Sequence, residues 1–256
     1  RLEQPGKEPG PLRDRTFIKL ASNMQNVRSP LPLIIIDSFR RNIDGESSSN
    51  SQNPKRPVHG IFIDVDPASG VAQPTDLPDF EGRGGMRVRG QTSAGFPKKQ
   101  YSFETWTSEG DDKDVSIFAF SEESDWVIHA PYSDKALMRN KIVYETSREI
   151  GYPAGRTLFC ELYFNTNGGD VSSSDYRGVY VFMEKIKRDD GRVNIKELQN
   201  CDNGRAEVTG GYIFKKDKGQ SVDVTFNTKR EGHNLAFVEP DQPTQAQREW
   251  LDTHID

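Results

Sequence analysis

Residues 98–106 alternate between two faces, and this period of two constrains the fold more than any other feature of the sequence. One face carries Lys99, Tyr101, Phe103 and Thr105, and the other carries Lys98, Gln100, Ser102, Glu104 and Trp106. Such alternation is typical of a strand with one face on a core. The segment therefore predicts an extended strand, and it places Lys99 on the face of the two aromatic rings.

Other segments repeat this strand pattern and are separated by turn-rich stretches. Residues 31–39 form a compact β-branched run, which predicts a strand that is buried on both faces. The remaining predicted strands are residues 16–20, 60–66, 85–90, 158–165, 177–186, 192–198 and 209–218. Residues 158–165 and 177–186 are expected to pair as a hairpin. Strands and turns thus dominate the first half of the chain.

Two segments have the pattern of helices. For residues 134–150, Ser133 suits the N-cap and Gly151 suits the C′ position. Met138, Ile142, Val143 and Ile150 fall on one arc, and Arg139 falls on the same arc, where it would need a carboxylate or phosphate partner. Thr244 with Gln247 matches a capping box and predicts a second helix, which we expect to continue beyond the end of the sequence.

Composition excludes several classes of protein. The 34 Lys and Arg residues are outnumbered by 39 Asp and Glu, so the net charge of −5 disfavours nucleic-acid binding. No apolar run approaches the ~20 residues that span a bilayer. The four histidines and two cysteines show no metal-ligand spacing. Cys160 and Cys201 leave two possibilities open, a single bridge or simple packing.

The glycine-bearing segment 90–95 points to phosphate binding. It fails the Walker pattern, because Phe96 and Pro97 stand where Lys and Ser or Thr belong. A glycine turn between two strands, followed by a strand lysine and then a helix, is nevertheless the order that protein kinases use. Lys99 is the better candidate to point into a cleft, and Lys98 is predicted to be solvated.

Several long motifs, in order, resemble the CotH family of atypical protein kinases. They are RGQTSAGFPKKQYSFETW, SDWVIHAPYSDKALMRNKIVYETSREIG, RGVYVFMEKIKRDDGRVNIKEL and TGGYIFKKDK. The resemblance covers residues 60–256. It implies an incomplete kinase-like domain over residues 60–256. Residues 1–15, rich in Pro, Gly and charged residues, are predicted to be a flexible tail, and residues 16–59 to hold leading strands and a polar loop.

The resemblance implies an α+β, atypical protein-kinase-like fold, mainly the β-rich N-terminal lobe plus the start of the C-terminal lobe. It implies transfer of the γ-phosphoryl group of ATP, with Mg²⁺ or Mn²⁺, to Ser of a partner protein. The residues implied at the nucleotide are Arg89, Ser93, Lys98, Lys99, Arg139, Asn140, Met183 and Glu184. Arg139 is then expected to pair with a phosphate, with Glu184, or with another internal carboxylate.

The sequence departs from the family in its catalytic residues. The family's Asn-x-Asp and Trp-Asp-x-Asp stretches, which supply catalytic and metal-binding aspartates, do not occur here. Together with Arg1 in place of Met, this predicts a fragment of a larger protein that does not catalyse transfer by itself. Enzymatic activity of the chain is accordingly left open.

A second interpretation is a non-catalytic binding or scaffold module at a cell surface, with neighbouring extracellular β-domains. A third and weaker one is a carbohydrate-associated domain in which Trp106 and Trp250 stack on sugars, although core packing explains these rings better. The resemblance implies an extracytoplasmic or surface location in a bacterium, with the spore coat as the alternative.

Overall fold

The computed structural model describes residues 16–45, 54–216 and 223–255. The predicted tail, residues 46–53 of the polar loop, residues 217–222 and Asp256 lie outside them, so the last two residues of the predicted strand 209–218 do as well. The strands are β1 (Leu33–Asp37), β2 (Arg56–Ile63), β3 (Phe80–Val88), β4 (Tyr101–Thr105), β5 (Asp125–His129), β6 (Thr157–Asn165), β7 (Tyr176–Glu184), β8 (Ile213–Lys215), β9 (Thr225–Asn227) and β10 (Asn234–Glu239). The helices are α1 (Arg139–Glu149) and α2 (Gln245–His254).

The fold is α+β, and the chain divides into two compact units. The first holds the described residues up to Val143 together with Arg156–Glu184. The second holds Tyr144–Gly155 and the described residues from Lys185 onward. α1 therefore begins in the first unit, and its residues from Tyr144 belong to the second.

The first unit is a closed barrel of seven strands. Their order around the barrel is β1-β2-β3-β4-β5-β7-β6. Six of the neighbouring pairs are antiparallel, whereas β1 and β6 run parallel and close the barrel. Closure satisfies the backbone groups of both edges, so a short β-rich chain avoids exposed sheet edges.

β1 is buried along its whole length, which confirms the prediction for residues 31–39. Ile34 and Ile36 point into the barrel core. Leu33 and Ile35 belong instead to a second apolar cluster, with Met24 and other residues outside the barrel. A strand with apolar neighbours on both faces reads as a continuous hydrophobic run, as this one does.

The barrel interior is filled largely by aromatic rings. Phe62 lies between 5.1 and 6.0 Å, centroid to centroid, from the rings of Phe80, Phe103, Phe118 and Phe182. Trp126 stacks on Phe182 at 5.0 Å. Large rings fill the interior of a narrow barrel, so this space is a packed core rather than a channel.

The second unit contains a three-stranded antiparallel sheet in the order β8-β10-β9. Its apolar cluster consists of Phe226, Leu235, Phe237 and Leu251, so α2 contributes Leu251 to the packing of the sheet. α2 begins with the predicted capping box, in which the side chains of Thr244 and Gln247 each accept from the backbone N–H of the other.

Several predicted strands need correction. Residues 16–20 and 192–198 form only single bridges, at Leu20 and Val193. The strand expected over residues 98–106 begins at Tyr101, so Lys98 and Lys99 lie in the preceding loop. Within β4 the alternation is confirmed, because Tyr101, Phe103 and Thr105 are buried and the residues between them are not. The hairpin of β6 and β7 is also confirmed.

The predicted helix over residues 134–150 begins later than expected. Leu137 has a φ of 60°, in the left-handed region, and the α-helix starts only at Arg139. Ser133 is therefore not the N-cap. Gly151 has a φ of 87° and its N–H donates to the Arg148 carbonyl, which confirms the predicted C′ position.

The apolar arc of this helix is exposed rather than buried. Met138, Ile142, Val143 and Ile150 are between 48 and 66% exposed, and α1 contains no buried residue. The placement of Arg139 on a buried arc is thus wrong.

Cys160 is buried and Cys201 is exposed, and both are free thiols. Burial raises the pKa of the Cys160 thiol to about 12. Trp250 stacks on Tyr212 and His254, and the Trp106 ring lies directly over Gly85, so both indoles pack against their own chain. None of the helices among the described residues has the length and apolarity that a bilayer-spanning helix needs.

Candidate functional site

The glycine turn, residues 90–97, connects β3 to β4 at one end of the barrel. Gly90 has a φ of 93°, and a Cβ placed there would lie 2.1 Å from Ser93 Oγ. Residues Ser93–Gly95 form a single 3-10 turn, in which the Phe96 N–H donates to the Ser93 carbonyl at 3.1 Å. Glycine is required at position 90 both for its backbone conformation and for the close approach of Ser93.

The side chain of Gln100 attaches this turn to β5. Its Nε2 donates to Ser93 Oγ at 2.8 Å, and its Oε1 lies 2.8 Å from His129 Nδ1. His129 is the last residue of β5, and it is half-buried. Three side chains from the turn, the loop and the strand therefore form one continuous chain of hydrogen bonds.

Lys98 and Lys99 lie beside the turn, and a backbone carbonyl binds the ammonium group of each. The Lys98 ammonium donates to the Val179 carbonyl at 2.5 Å and sits 4.4 Å from the centroid of the Tyr180 ring. Burial lowers the pKa of Lys98, so it is not the solvated lysine that was expected. The Lys99 ammonium donates to the Ala94 carbonyl at 2.6 Å, within the turn itself.

The Tyr180 ring beneath Lys98 stacks on a second buried phenol, Tyr101, at 6.4 Å between ring centroids. Tyr101 donates its hydroxyl to Asp44 Oδ1 at 2.6 Å, and burial raises the pKa of both Tyr101 and Tyr180. These groups remain uncharged at neutral pH. The Lys98 ammonium is then bound by a carbonyl and an aromatic face rather than by a carboxylate.

Arg139 is the first residue of α1, and both its backbone and its guanidinium contact the carboxylate of Asp134. The Asp134 carboxylate accepts from the backbone N–H of Arg139 at 2.7 Å and of Ala136 at 3.1 Å. The hydrogen bond from Arg139 N–H is the main reason that the pKa of Asp134 lies below its ordinary value. The Arg139 guanidinium lies 3.5 Å from the same carboxylate, and its side chain is 80% exposed, which leaves it accessible to a ligand.

The pKa of His129 responds to charged groups at both the glycine turn and the start of α1. Burial lowers the pKa of His129, the positive charge of Arg89 lowers it further, and the negative charge of Asp134 raises it. Arg89 is exposed at the end of β3, and its backbone N–H donates to the Gln100 carbonyl. The structure thus brings Arg89, Ser93, Lys98, Lys99 and Arg139 to the same end of the barrel.

The other predicted residues lie elsewhere. Asn140 follows Arg139 in the first turn of α1 and is half-buried. Met183 and Glu184 are buried at the far end of β7, where Glu184 pairs across the sheet with Trp126. Val179 and Glu184 are separated along β7 by roughly 17 Å at ~3.3 Å per residue. Glu184 is therefore not next to Lys98.

Glu184 has a partner of its own. The Arg156 guanidinium donates twice to Glu184 Oε1, from Nε at 2.7 Å and from Nη2, and the Arg156 backbone N–H donates to Oε2 at 2.7 Å. Arg156 also donates to Ser121 Oγ at 2.8 Å. The predicted pairing of Arg139 with Glu184 is wrong, because Arg139 pairs with Asp134 and Glu184 pairs with Arg156.

The donor set of this barrel end fits a phosphate group better than a metal ion. Cationic side chains, a serine hydroxyl and the backbone of a glycine turn all attract anions. Among residues 16–45, 54–216 and 223–255, no group of three or more His, Cys, Asp or Glu side chains could hold a metal ion. The residues at this end therefore do not fit the divalent ion that the resemblance implies.

A separate open pocket of about 560 Å³ lies on the outer face of β2 and β3. Its lining includes His59, Glu81, Arg83, Trp106 and Lys113. It shares no residue with the glycine turn, so this pocket and the cationic groups beside the turn are in different places.

Sequence analysis missed Gln100, His129 and the capping role of Asp134. Histidines predict a metal site only where they have paired ligand spacing, which His129 lacks. One signal was available for His129, a polar residue directly after the apolar run of residues 126–128. Nothing in the sequence indicates that Gln100 and His129 meet, because this contact depends on the pairing of β4 with β5.

Comparison with protein families gives one match. The family described as CotH kinase protein matches residues 86–256, which is more than half of the chain. No curated protein matches the chain. The matched region contains the glycine turn, β4, β5, α1, the β6–β7 hairpin and the whole second unit. The chain therefore belongs to the CotH kinase family.

Proposed function

We propose that the first unit binds ATP with its phosphates on the glycine turn, as part of an ATP-dependent protein kinase that phosphorylates Ser of a partner protein. One observation carries this proposal: Arg89, Ser93, Lys98, Lys99 and Arg139 converge on one end of the barrel, around a turn that begins at Gly90 with a φ of 93°. On this proposal the barrel is the β-rich lobe of a kinase-like fold, and the second unit begins the C-terminal lobe.

Each side chain has a role that follows from its contacts. Ser93 offers a hydroxyl from within the turn, and Arg89 and Arg139 offer exposed guanidinium groups, which suit phosphate geometry. Lys98 and Lys99 are held beside the turn by carbonyl oxygens, which are weaker partners than a phosphate. Asn140 lies next to Arg139. Met183 and Glu184 remain predictions from the resemblance.

ATP is expected to enter with Mg²⁺ or Mn²⁺, and the described residues offer no carboxylate cluster for this ion. The location at a bacterial surface or in a spore coat also remains a proposal from the resemblance.

Titration of ATP and Mg²⁺ into the 256-residue chain, followed by calorimetry, tests nucleotide binding. We expect about a tenfold higher Kd for ATP in each of the variants Arg89→Ala, Lys98→Met and Lys99→Ala. Each variant removes a charged group that donates hydrogen bonds to the phosphates. Lys19→Ala is the matched control, since Lys19 is an exposed lysine paired with Asp170. Unchanged affinity in all three variants would contradict the proposal.

Phosphoryl transfer is tested separately with a Ser-rich acceptor and labelled ATP. We expect binding without transfer by this chain, because the family's two aspartate motifs are absent from its sequence. Transfer of label would show that other carboxylates of the chain supply the catalytic and metal-binding groups.

A further inference from the structure

Gln100 lies at the centre of the hydrogen-bond chain that supports the glycine turn. Its amide presents a donor, Nε2, to Ser93 Oγ and an acceptor, Oε1, to His129 Nδ1, both at 2.8 Å. An amide oxygen only accepts hydrogen bonds, so His129 must carry a proton on Nδ1. In the neutral ring, Nε2 is then the unprotonated nitrogen.

This arrangement determines whether the Ser93 hydroxyl can donate a hydrogen bond to a ligand. A hydroxyl has one proton, and Ser93 Oγ accepts from Gln100 in this geometry. Its own proton is therefore available for donation to a ligand. Phosphate oxygens are acceptors only, so they require Ser93 in this donating state.

The opposite orientation of the amide would reverse the roles. Gln100 Nε2 would then face His129 Nδ1, which would have to be unprotonated, and Ser93 would donate to Gln100 Oε1. Ser93 would then offer a phosphate no proton. The tautomer of His129 thus selects between a donating and a non-donating Ser93.

We propose that His129 and Gln100 are positioning residues of the phosphate-binding turn, in which the Nδ1–H of His129 fixes the Gln100 amide so that Ser93 stays a hydrogen-bond donor. This role rests on the proposed binding of ATP by the glycine turn. Neither residue contacts the phosphate itself; both act through Ser93.

The surroundings of His129 keep its ring neutral, so the hydrogen bond to Gln100 depends on which ring nitrogen carries the proton. It is half-buried, and burial together with the charge of Arg89 lowers its pKa, while Asp134 partly offsets this. A neutral imidazole carries one proton, on either nitrogen. The contact with Gln100 Oε1 is what selects Nδ1.

The tautomer can be read directly by NMR. Long-range ¹H–¹⁵N correlation spectra of the histidine rings, recorded on the full chain near pH 7.5, should show His129 protonated at Nδ1. His254→Leu, which removes an exposed histidine from α2, helps to assign the signals. Protonation of His129 at Nε2 alone would overturn the proposal, whatever the result with nucleotide.

The coupling to Ser93 is tested by a double-mutant cycle on ATP affinity. His129→Leu should weaken ATP binding by about tenfold, as Ser93→Ala should, since each removes the same donor to the phosphate. In the Ser93→Ala background, His129→Leu should have no further effect. His129→Asn can replace the Nδ1–H with an amide N–H and should restore most of the affinity.

The outcomes separate this role from a purely structural one. Additive losses from His129→Leu and Ser93→Ala, or unchanged affinity in His129→Leu, would overturn the positioning role and leave ATP binding intact. If His129→Leu does not fold, Gln100→Leu takes its place in the same cycle. Absence of ATP binding by the wild-type chain would instead overturn the proposed function, and the role of Ser93 with it.

Discussion

Two buried or half-buried histidines relate the stability of the barrel to pH. Burial is the main cause that lowers the pKa of both His59 and His129 below 6.5. The unfolded chain therefore binds more protons than the folded one below about pH 6.5, so stability falls as the pH decreases through this range. Each histidine contributes at most ~1.4 kcal/mol of lost stability per pH unit.

We expect the melting temperature of the chain to fall between pH 7.5 and pH 5.5. His59→Gln and His129→Gln should each flatten this dependence, and His254→Gln, at an exposed position, should leave it unchanged. Calorimetric melts across this pH range provide the measurement. A melting temperature that does not change between these pH values would contradict the expectation.

Gly90 is the residue on which the shape of the glycine turn depends most. Gly90→Ala should destabilise the turn by roughly 1–3 kcal/mol, because alanine is strained at a φ of 93° and its Cβ would meet Ser93 Oγ. ATP affinity should fall with it. Gly95→Ala is a control within the same turn, since a Cβ there meets nothing within 4 Å. Equal behaviour of the two variants in melting and ATP titration would contradict this role for Gly90.

The lysines show where prediction at the level of single residues fails. Alternation assigns a side chain to a face only while the backbone is extended and pleated, and β4 starts at Tyr101. Lys98 and Lys99 precede it, so their directions follow from the turn. Both lysines accompany the glycine turn, as the sequence order predicts, but Lys98 is half-buried rather than solvated.

At the scale of single elements, the start of α2 offers a direct test. Thr244 accepts from the Gln247 N–H, and Gln247 accepts from the Thr244 N–H. Thr244→Ala should lower the free energy of unfolding by about 1 kcal/mol, because it leaves an N-terminal N–H without its side-chain acceptor. Urea unfolding followed by circular dichroism measures this.

Thr253 provides the matched control for Thr244. Its hydroxyl donates to the Glu249 carbonyl within α2, where alanine is the better helix former. Thr253→Ala should therefore be neutral or slightly stabilising. If both threonine variants lose the same stability, the capping box does not contribute as described.

Elements with a strong local pattern were the ones that sequence could predict. The buried run of β1, the alternation of β4, the β6–β7 hairpin and the capping box of α2 each depend on residues close together in the chain. The start of α1 was missed because Asp134 binds the N–H groups of Ala136 and Arg139 in a loop that also contains a left-handed Leu137. The short strands β9 and β10 carry no such pattern.

For the whole molecule, the family match and the barrel have different boundaries. The matched region begins at residue 86, whereas the barrel includes β1, β2 and six of the nine residues of β3 before that point. The predicted domain boundary at residue 60 likewise falls inside β2 and stays a prediction. Closure of the barrel could not be predicted, because it depends on the parallel pairing of β1 with the distant β6.

Because the family match leaves out β1 and β2, we expect a chain shortened to the matched residues to fold poorly. Residues 86–256 alone would lack β1, β2 and the first six residues of β3. This leaves β6 without β1 and the remainder of β3 without β2, with two open sheet edges and an exposed aromatic core. We expect this fragment to aggregate or to lack a cooperative melt, whereas the 256-residue chain should show both a monomeric peak in gel filtration and a cooperative melt. A soluble, cooperatively melting 86–256 fragment would contradict the role of β1 in closing the barrel.

The parallel pair that closes the barrel also has a consequence for synthesis on the ribosome. Asp37 at the end of β1 meets Asn165 at the end of β6, and the two are separated by 128 positions in the chain. At ~5–20 residues per second, β1 emerges roughly 6–25 s before its partner exists. During this interval a β-branched segment, in which Asp37 is the single charged residue, stands with one edge open. It is the part of the nascent chain that a ribosome-associated chaperone would need to cover.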